Sequence, residues 1–431
     1  MKPLHAHTLN YYLAQSLPAM TSLIGLSLYI SLAGKEAFGT FALIMSTILV
    51  IQAFSSTWLN QSILRYRTYS SSQTYKNNFK KIVLIGSAIS SLIAAILTGI
   101  TLSLTSNTYY TITNLLAILV SSSFVLYGTL GVNASSFLDS KRVLLSEASR
   151  AVITFSATII LLRYTGITGE VSLLAGVLSG LTAGIIMLSH GYTRKNAKTT
   201  SPDTSRTPQI HGMIESFIRY GGPLSIWMAI VQLHNLSDRY QISYFMNVEN
   251  TAEYSAIHDI VYKFFGFALV PILSAAHPII MNSWNEHDLK GALVTITQSL
   301  KLQIVISIGG LMTLFILRDV LVLFLLGEEN HQSSSLVLPV AVGFMVWQMS
   351  MILQKILETT AKVHIMITLI ILSLLVNVLG NHLFIPKYGY IAAAYTTLLS
   401  SLTYFSGILL YLYLSRNFID NGNQEKPSSR H

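Results

Sequence analysis

The chain has 431 residues, of which 52% are hydrophobic and only 10% charged, with a formal net charge of +9 at pH 7 and no cysteine. Soluble domains carry about 25% charged residues, so this composition excludes a soluble globular protein and leaves a polytopic membrane bundle with no room for an appended enzyme. The missing thiols exclude a disulfide framework, a thiolate metal site and a cysteine nucleophile, and a basic excess in a membrane protein belongs to cytoplasmic loops before it signals nucleic acid.

Apolar runs of about 20 residues, enough to cross a ~30 Å hydrocarbon core at ~1.5 Å per residue, recur twelve times along the chain. Met1 to Asn10 is short and polar, is followed by no small-residue cleavage pattern, and reads as the lead into a first span that stays in place. Spans are expected over residues 11–33, 38–61, 82–104, 112–134, 146–164 and 171–192. The longest polar stretch, Thr193 to Gly212 with Pro202 and Pro208, reads as a flexible cytoplasmic linker. Six further spans are expected over 216–237, 252–276, 293–317, 336–357, 363–384 and 391–414, and the tail from Arg416 to His431 has the polar character of a disordered end. The expectation is an all-α protein of about twelve transmembrane helices. Its N-terminal lobe is 1–192, its linker 193–215, its C-terminal lobe 216–415 and its tail 416–431.

Placing the N-terminus inside puts seventeen Lys and Arg in inner loops and five in outer ones, which predicts that both termini are cytoplasmic. Weak similarity between the halves, such as Tyr11 to Pro18 against Phe217 to Pro223, suggests a parallel repeat with a substrate path between the lobes.

Charge inside hydrocarbon is the informative feature, because each such group costs about 2.5–3.5 kcal/mol at the bilayer centre on insertion scales. Arg219 lies one turn before Gly221-Gly222-Pro223 and suits either an anion site at the inner mouth or an interfacial arginine reaching headgroups. Arg150, four residues into the fifth span, has the same two readings. Asp259 and Lys263 are spaced i, i+4 with the acid first, the order that pairs on a helix. They point to a cavity lysine kept charged by its aspartate. His234 and Asp238 form a second i, i+4 pair beside Arg239, fitting either proton traffic or an Asp-Arg lock at a helix end. His258 and His277 are weaker candidates, each also readable as a satisfied core histidine. Lys355 and Glu358 belong to a polar stripe through Gln348 and Lys362. Arg65 closes the second span. There is no Gly-x4-Gly-Lys-Ser/Thr, no His-Glu-x-x-His and no other metal spacing, so no cofactor is implied.

Several short motifs fall in a consistent order: Tyr12 to Pro18, Gly39-Thr-Phe41, Asn60-Gln61 with Arg65-Tyr66, Tyr220-Gly-Gly-Pro-Leu224, Ser237-Asp-Arg239, Glu253-Tyr254-Ser255, Gly327, Glu358 with Lys362, and Ile385-Pro-Lys-Tyr-Gly389 before Ala392-Ala-Ala394. Together they resemble the oligosaccharide flippase family, the O-antigen (Wzx-type) polysaccharide-transport branch of the multidrug, oligosaccharidyl-lipid and polysaccharide exporter superfamily. Ala252 and Ala392 stand where that pattern usually has glycine, and both keep a small residue.

The resemblance implies a V-shaped, two-lobed protein of the bacterial inner membrane. Such a protein moves undecaprenyl-diphosphate-linked oligosaccharide from the cytoplasmic to the periplasmic leaflet by alternating access. It works alongside polysaccharide polymerase and chain-length machinery, with H+ or Na+ as a coupling ion. Lys263, Arg219, Arg150, Lys355 and Arg65 are then expected along the cargo path, and Asp259, His234, Asp238, Arg239 and Glu358 in coupling or gating. Two other functions remain open: a drug or cation antiporter of the same superfamily, for which the mainly basic intramembrane charge is the wrong sign, and an integral-membrane polysaccharide polymerase, for which the outer loops are short.

Overall fold

The computed structural model describes residues 2–67, 73–105, 112–137, 139–190, 210–286, 288–327, 333–360 and 362–422. Among these the chain is wholly helical. The elements are α1 (Lys2–Ala33), α2 (Lys35–Tyr66), α3 (Gln73–Thr105), α4 (Ile112–Ser136), α5 (Ser140–Tyr164), α6 (Gly169–Ser189), α7 (Ile210–Phe245), α8 (Val248–Asn285), α9 (Leu289–Leu326), α10 (Val337–Leu353), α11 (Lys355–Thr359), α12 (Val363–Tyr388) and α13 (Ile391–Gly422). Eleven candidate spans are long and apolar enough to cross a membrane, one of them made of α10 and α11 together.

The twelfth expected span is α7, which falls outside that set. Its 36 residues exceed the length needed, but its second half carries His234, Asn235, Asp238 and Arg239, three of which are buried inside the protein. A helix that hides polar groups from lipid has low hydropathy without being any less membrane-embedded.

Other boundaries also differ from expectation. α1 starts at Lys2, so the polar leader is helical, and α7 starts at Ile210, inside the expected linker. α13 runs to Gly422, so the first part of the expected disordered tail is helix, while 191–209 and 423–431 lie outside the described residues. The tenth span is interrupted at Gln354, where α10 gives way to α11.

By contacts between residues the chain forms two compact units, Met1–Ile260 with Asp319–Ser334, and Val261–Arg318 with Ser335–His431. In the first, α2 packs along α7, α5 along α6 and α1, and α4 against α2, α3 and α6. Its core runs through Ile48, Val120, Leu174 and Leu181, all essentially inaccessible. Glycine sets the closest approaches: a Cβ on Gly176 or Gly180 of α6 would collide with Thr158 or Thr154 of α5. In the second unit α13 packs on α10 and α12. There Phe265 of α8 lies against Gly310 of α9 and 6.3 Å from the ring of Phe344 in α10.

Candidate functional site

At the end of the first unit where Gly34, with φ of 84°, turns α1 into α2, and where α7 turns into α8, the helices bury an unusual number of charges. Gly39 permits it: a Cβ there would strike the carbonyl of Val248, so only glycine lets the start of α8 lie this close to α2. The first turns of α8 are consequently buried without a break from Thr251 to His258, and the polar groups they carry must find partners within the protein.

They do. Lys35 Nζ lies 2.9 Å from Glu253 Oε1, and Ser333 Oγ donates to Glu253 Oε2 at 3.2 Å. Arg239 donates from Nη2 to Asp259 Oδ1 at 2.5 Å and from Nη1 to Ser46 Oγ at 2.6 Å, with the Ala42 carbonyl at 3.4 Å. Asp259 Oδ1 is also 3.3 Å from His258 Nδ1. The Tyr254 hydroxyl donates to Asp238 Oδ2 at 2.6 Å, and Thr47 and Tyr240 share a hydrogen bond of 2.9 Å between α2 and α7. Asp238 is 1% exposed, His234 4%, His258 5% and Arg239 7%, so these contacts operate where water screens little.

One expected pairing therefore changes, and Asp259 gains a partner that its own helix does not supply. Asp259 was expected to serve Lys263, one turn along its own helix, and within its own unit it forms an ion pair with Arg239 of α7. The Asp238–Arg239 lock is replaced by two separate interactions, because Arg239 reaches α8 and α2 while Asp238 receives the Tyr254 hydroxyl. Helical spacing ranks partners on one helix only, and the partners on other helices come from the packing of α2, α7 and α8.

At the opposite end of α2 and α7, a Cβ on Gly221 would run into the Trp58 backbone, and Ser62 Oγ donates to the Phe217 carbonyl at 3.0 Å. That contact seats an aromatic cluster. Tyr66 stacks on Phe217 at 5.3 Å and meets Tyr220 edge-on at 6.0 Å, and Phe79 meets Phe217 at 5.9 Å. The guanidinium of Arg65 lies 4.2 Å from the centre of the Tyr220 ring, in the range of a cation–π contact. Arg219 precedes Tyr220 directly, and both arginines are exposed with no carboxylate partner among the described residues.

Two of the remaining basic candidates, Arg150 and Lys355, are neutralised locally. Arg150 donates from Nε and Nη2 to Glu147 Oε2 at 3.1 and 2.6 Å and lies 5.4 Å from the Tyr127 ring. Lys355 contacts both oxygens of Glu358 at 2.8 and 2.7 Å, and Gln354 joins Glu358 to the Tyr404 hydroxyl. Lys263 is half-buried at the start of the second unit, next to Tyr262, whose ring centre is 4.3 Å from that of Phe344. No group of three or more potential metal ligands occurs among the described residues.

Sequence reasoning missed Lys35 and Tyr220 as site residues and treated Glu253 and Tyr254 only as parts of a motif. The available signal was their position: Tyr254 and His258 lie one turn apart on α8, and Asp259 follows His258 directly.

The family model described as "Polysaccharide biosynthesis protein" matches residues 4–284, and a second, "MatE", matches residues 223–383. No curated protein matches the chain. Among solved structures, an inward-facing multidrug resistance MATE family transporter of the MOP superfamily superposes with a TM-score of 0.68, covering 96% of this chain and 99% of that one at 11% identity. A MOP superfamily transporter from Pyrococcus furiosus gives 0.70, with 97% and 95% coverage at 12% identity. The lipid II flippase MurJ in an inward closed conformation gives 0.64, with 95% and 87% coverage at 13% identity. At such identities the likeness speaks for the fold.

Proposed function

The chain belongs to the polysaccharide biosynthesis protein family, and from that premise and its MOP-type transporter fold we propose that it is a flippase for undecaprenyl-diphosphate-linked oligosaccharide. The cargo moves from the cytoplasmic to the periplasmic leaflet of a bacterial inner membrane by alternating access between a lobe of residues 1–192 and one of 216–415, with both termini cytoplasmic. Polysaccharide polymerase and chain-length machinery act on what it delivers.

The observation that carries this reading is the corner formed by Arg65, Tyr66 and Tyr220, with Arg219 next to Tyr220 in the chain. Guanidinium groups bind diphosphate through paired hydrogen bonds. Two of them without carboxylate partners among the described residues, on the packed helices α2 and α7, provide the charge for a diphosphate, and tyrosine rings beside them suit the apolar faces of sugar rings. Arg150 and Lys355 contribute less, because Glu147 and Glu358 already neutralise them. Lys263 remains the deeper candidate on the path, and Glu358 fits a role in gating through its hold on Lys355.

Proteoliposomes loaded with a fluorescent polyprenyl-diphosphate oligosaccharide test it. Flipping is expected to fall about tenfold or more in Arg65→Ala/Arg219→Ala, with Lys76→Ala as a control for general loss of positive charge. Equal rates in all three would remove the corner from the mechanism.

The MatE match over residues 223–383 favours one second reading, a drug or cation antiporter. Deleting the gene distinguishes them: the flippase reading expects a surface-polysaccharide defect with unchanged drug sensitivity, and the antiporter reading expects the reverse.

A further inference from the structure

Arg239 is committed elsewhere: its contacts are Asp259, Ser46 and the Ala42 carbonyl. It therefore leaves its neighbour Asp238, 1% exposed, to be stabilised by groups of another kind. Among its neighbours are the Tyr254 hydroxyl at 2.6 Å and, one helical turn earlier on α7, His234, 4% exposed. The ring of His258 lies 5.7 Å from that of Tyr254 and continues the series on α8. A carboxylate, a phenol and two imidazoles, all buried and in sequence, are groups that hold or pass a proton. Lys and Arg, which keep their charge, sit outside this inner set in pairs of their own, Lys35 with Glu253 and Arg239 with Asp259.

We propose that Asp238, Tyr254, His234 and His258 form one buried proton-binding site between α7 and α8, bordered by the Lys35–Glu253 ion pair and by the Arg239–Asp259 pair, which His258 meets through Asp259 Oδ1 at 3.3 Å. The chemistry selects a proton over a metal ion. A carboxylate in contact with a phenol is satisfied as an anion by the hydroxyl or as an acid by one added proton. Histidine is a poor ligand for sodium, which prefers oxygen donors, and no metal-ligand cluster occurs among the described residues. The charged and titratable groups around the site are Lys35 on α2, Arg239 and Tyr240 on α7, and Glu253 and Asp259 on α8, followed one turn later by Lys263. Binding and release exchange a proton at Asp238 or an imidazole nitrogen, with water as the other party when this end of the bundle opens. That the proton is tied to movement of cargo rests on the flippase reading; that the site binds one does not.

The site is tested on the full chain in lipid nanodiscs by infrared difference spectroscopy over a pH series. A carbonyl band of a protonated carboxylic acid should titrate in the native protein and disappear in Asp238→Asn. Tyr254→Phe removes one hydrogen bond to a charged group with little change of shape, and should move the midpoint by about one pH unit. Should Asp238→Asn fail to fold, the Tyr254→Phe shift alone decides. His258→Gln should also move the midpoint, whereas Glu253→Gln should leave the band in place. The proposal is overturned if no carboxylic band titrates, or if the band survives in Asp238→Asn. In proteoliposomes an imposed pH gradient should change the flipping rate in the native protein and not in Asp238→Asn. A titrating band with gradient-insensitive flipping would remove the coupling and keep the site. Absence of flipping altogether would sink the flippase reading while leaving the infrared result standing.

Discussion

At the scale of single residues, the buried ion pair of Arg239 and Asp259 is asymmetric. The arginine side chain is 9% exposed and the aspartate 32%, so the two deletions are not equivalent. Asp259→Ala strands a guanidinium in a dry environment and should cost about 3 kcal/mol, whereas Arg239→Met leaves a carboxylate that water can reach and should cost less. The double variant should be more stable than Asp259→Ala alone, because no unpaired charge remains. Denaturant unfolding in detergent measures all three, and a double variant as unstable as the sum of the singles would mean that the pair is not coupled. The sequence made the presence of these charges legible, since ionisable residues interrupt apolar runs. It did not make every partner legible: i, i+4 spacing offers Asp259 only Lys263, and nothing in one helix reveals that Arg239 of α7 also lies beside it.

At the scale of elements, glycines show how tightly helices fit. In α7 two adjacent glycines have opposite environments, Gly221 pressed on the Trp58 backbone of α2 and Gly222 open, with no neighbouring atom within 4 Å of the point where a Cβ would stand. Gly221→Val forces rigid backbones apart and should destabilise by about 1–3 kcal/mol or abolish folded yield. Gly222→Ala removes only unfolded-state freedom and should stabilise by up to about 1 kcal/mol. Thermal unfolding by intrinsic tryptophan fluorescence distinguishes them, and similar effects at both positions would contradict the close approach. The Tyr220-Gly-Gly-Pro-Leu224 motif was visible in the sequence, but which glycine carries the contact was not, because that depends on the rotation of α7 against α2. The break at Gln354 was invisible for a related reason. An apolar run keeps its hydropathy across a break of one residue, and the side-chain partners of Gln354, Glu358 and Tyr404, lie on other turns and another helix that hydropathy does not locate.

At the scale of the whole molecule, the count of crossings decides which side each half of the chain faces. Hydropathy alone gives eleven crossings, because α7 is too polar to qualify. Its length argues for twelve, since 36 residues reach about 54 Å at ~1.5 Å per residue, as does the excess of Lys and Arg in alternate loops. If α7 failed to cross, every loop after it would change sides. The chain has no cysteine, so single substitutions report sidedness on an otherwise unaltered protein. In the first half, Ile167→Cys should react with a membrane-impermeant maleimide on intact cells and Asn77→Cys only after permeabilisation. In the second half, twelve crossings expect Tyr388→Cys to react on intact cells and Glu286→Cys to be protected; eleven crossings reverse that pair and leave the first pair unchanged. All four positions are exposed, so a failure to label reflects the membrane and not burial. Reversal of the second pair alone would mean that the polar groups of α7 prevent it from crossing, and would place the Asp238–Tyr254 contact at the inner face instead of the outer one.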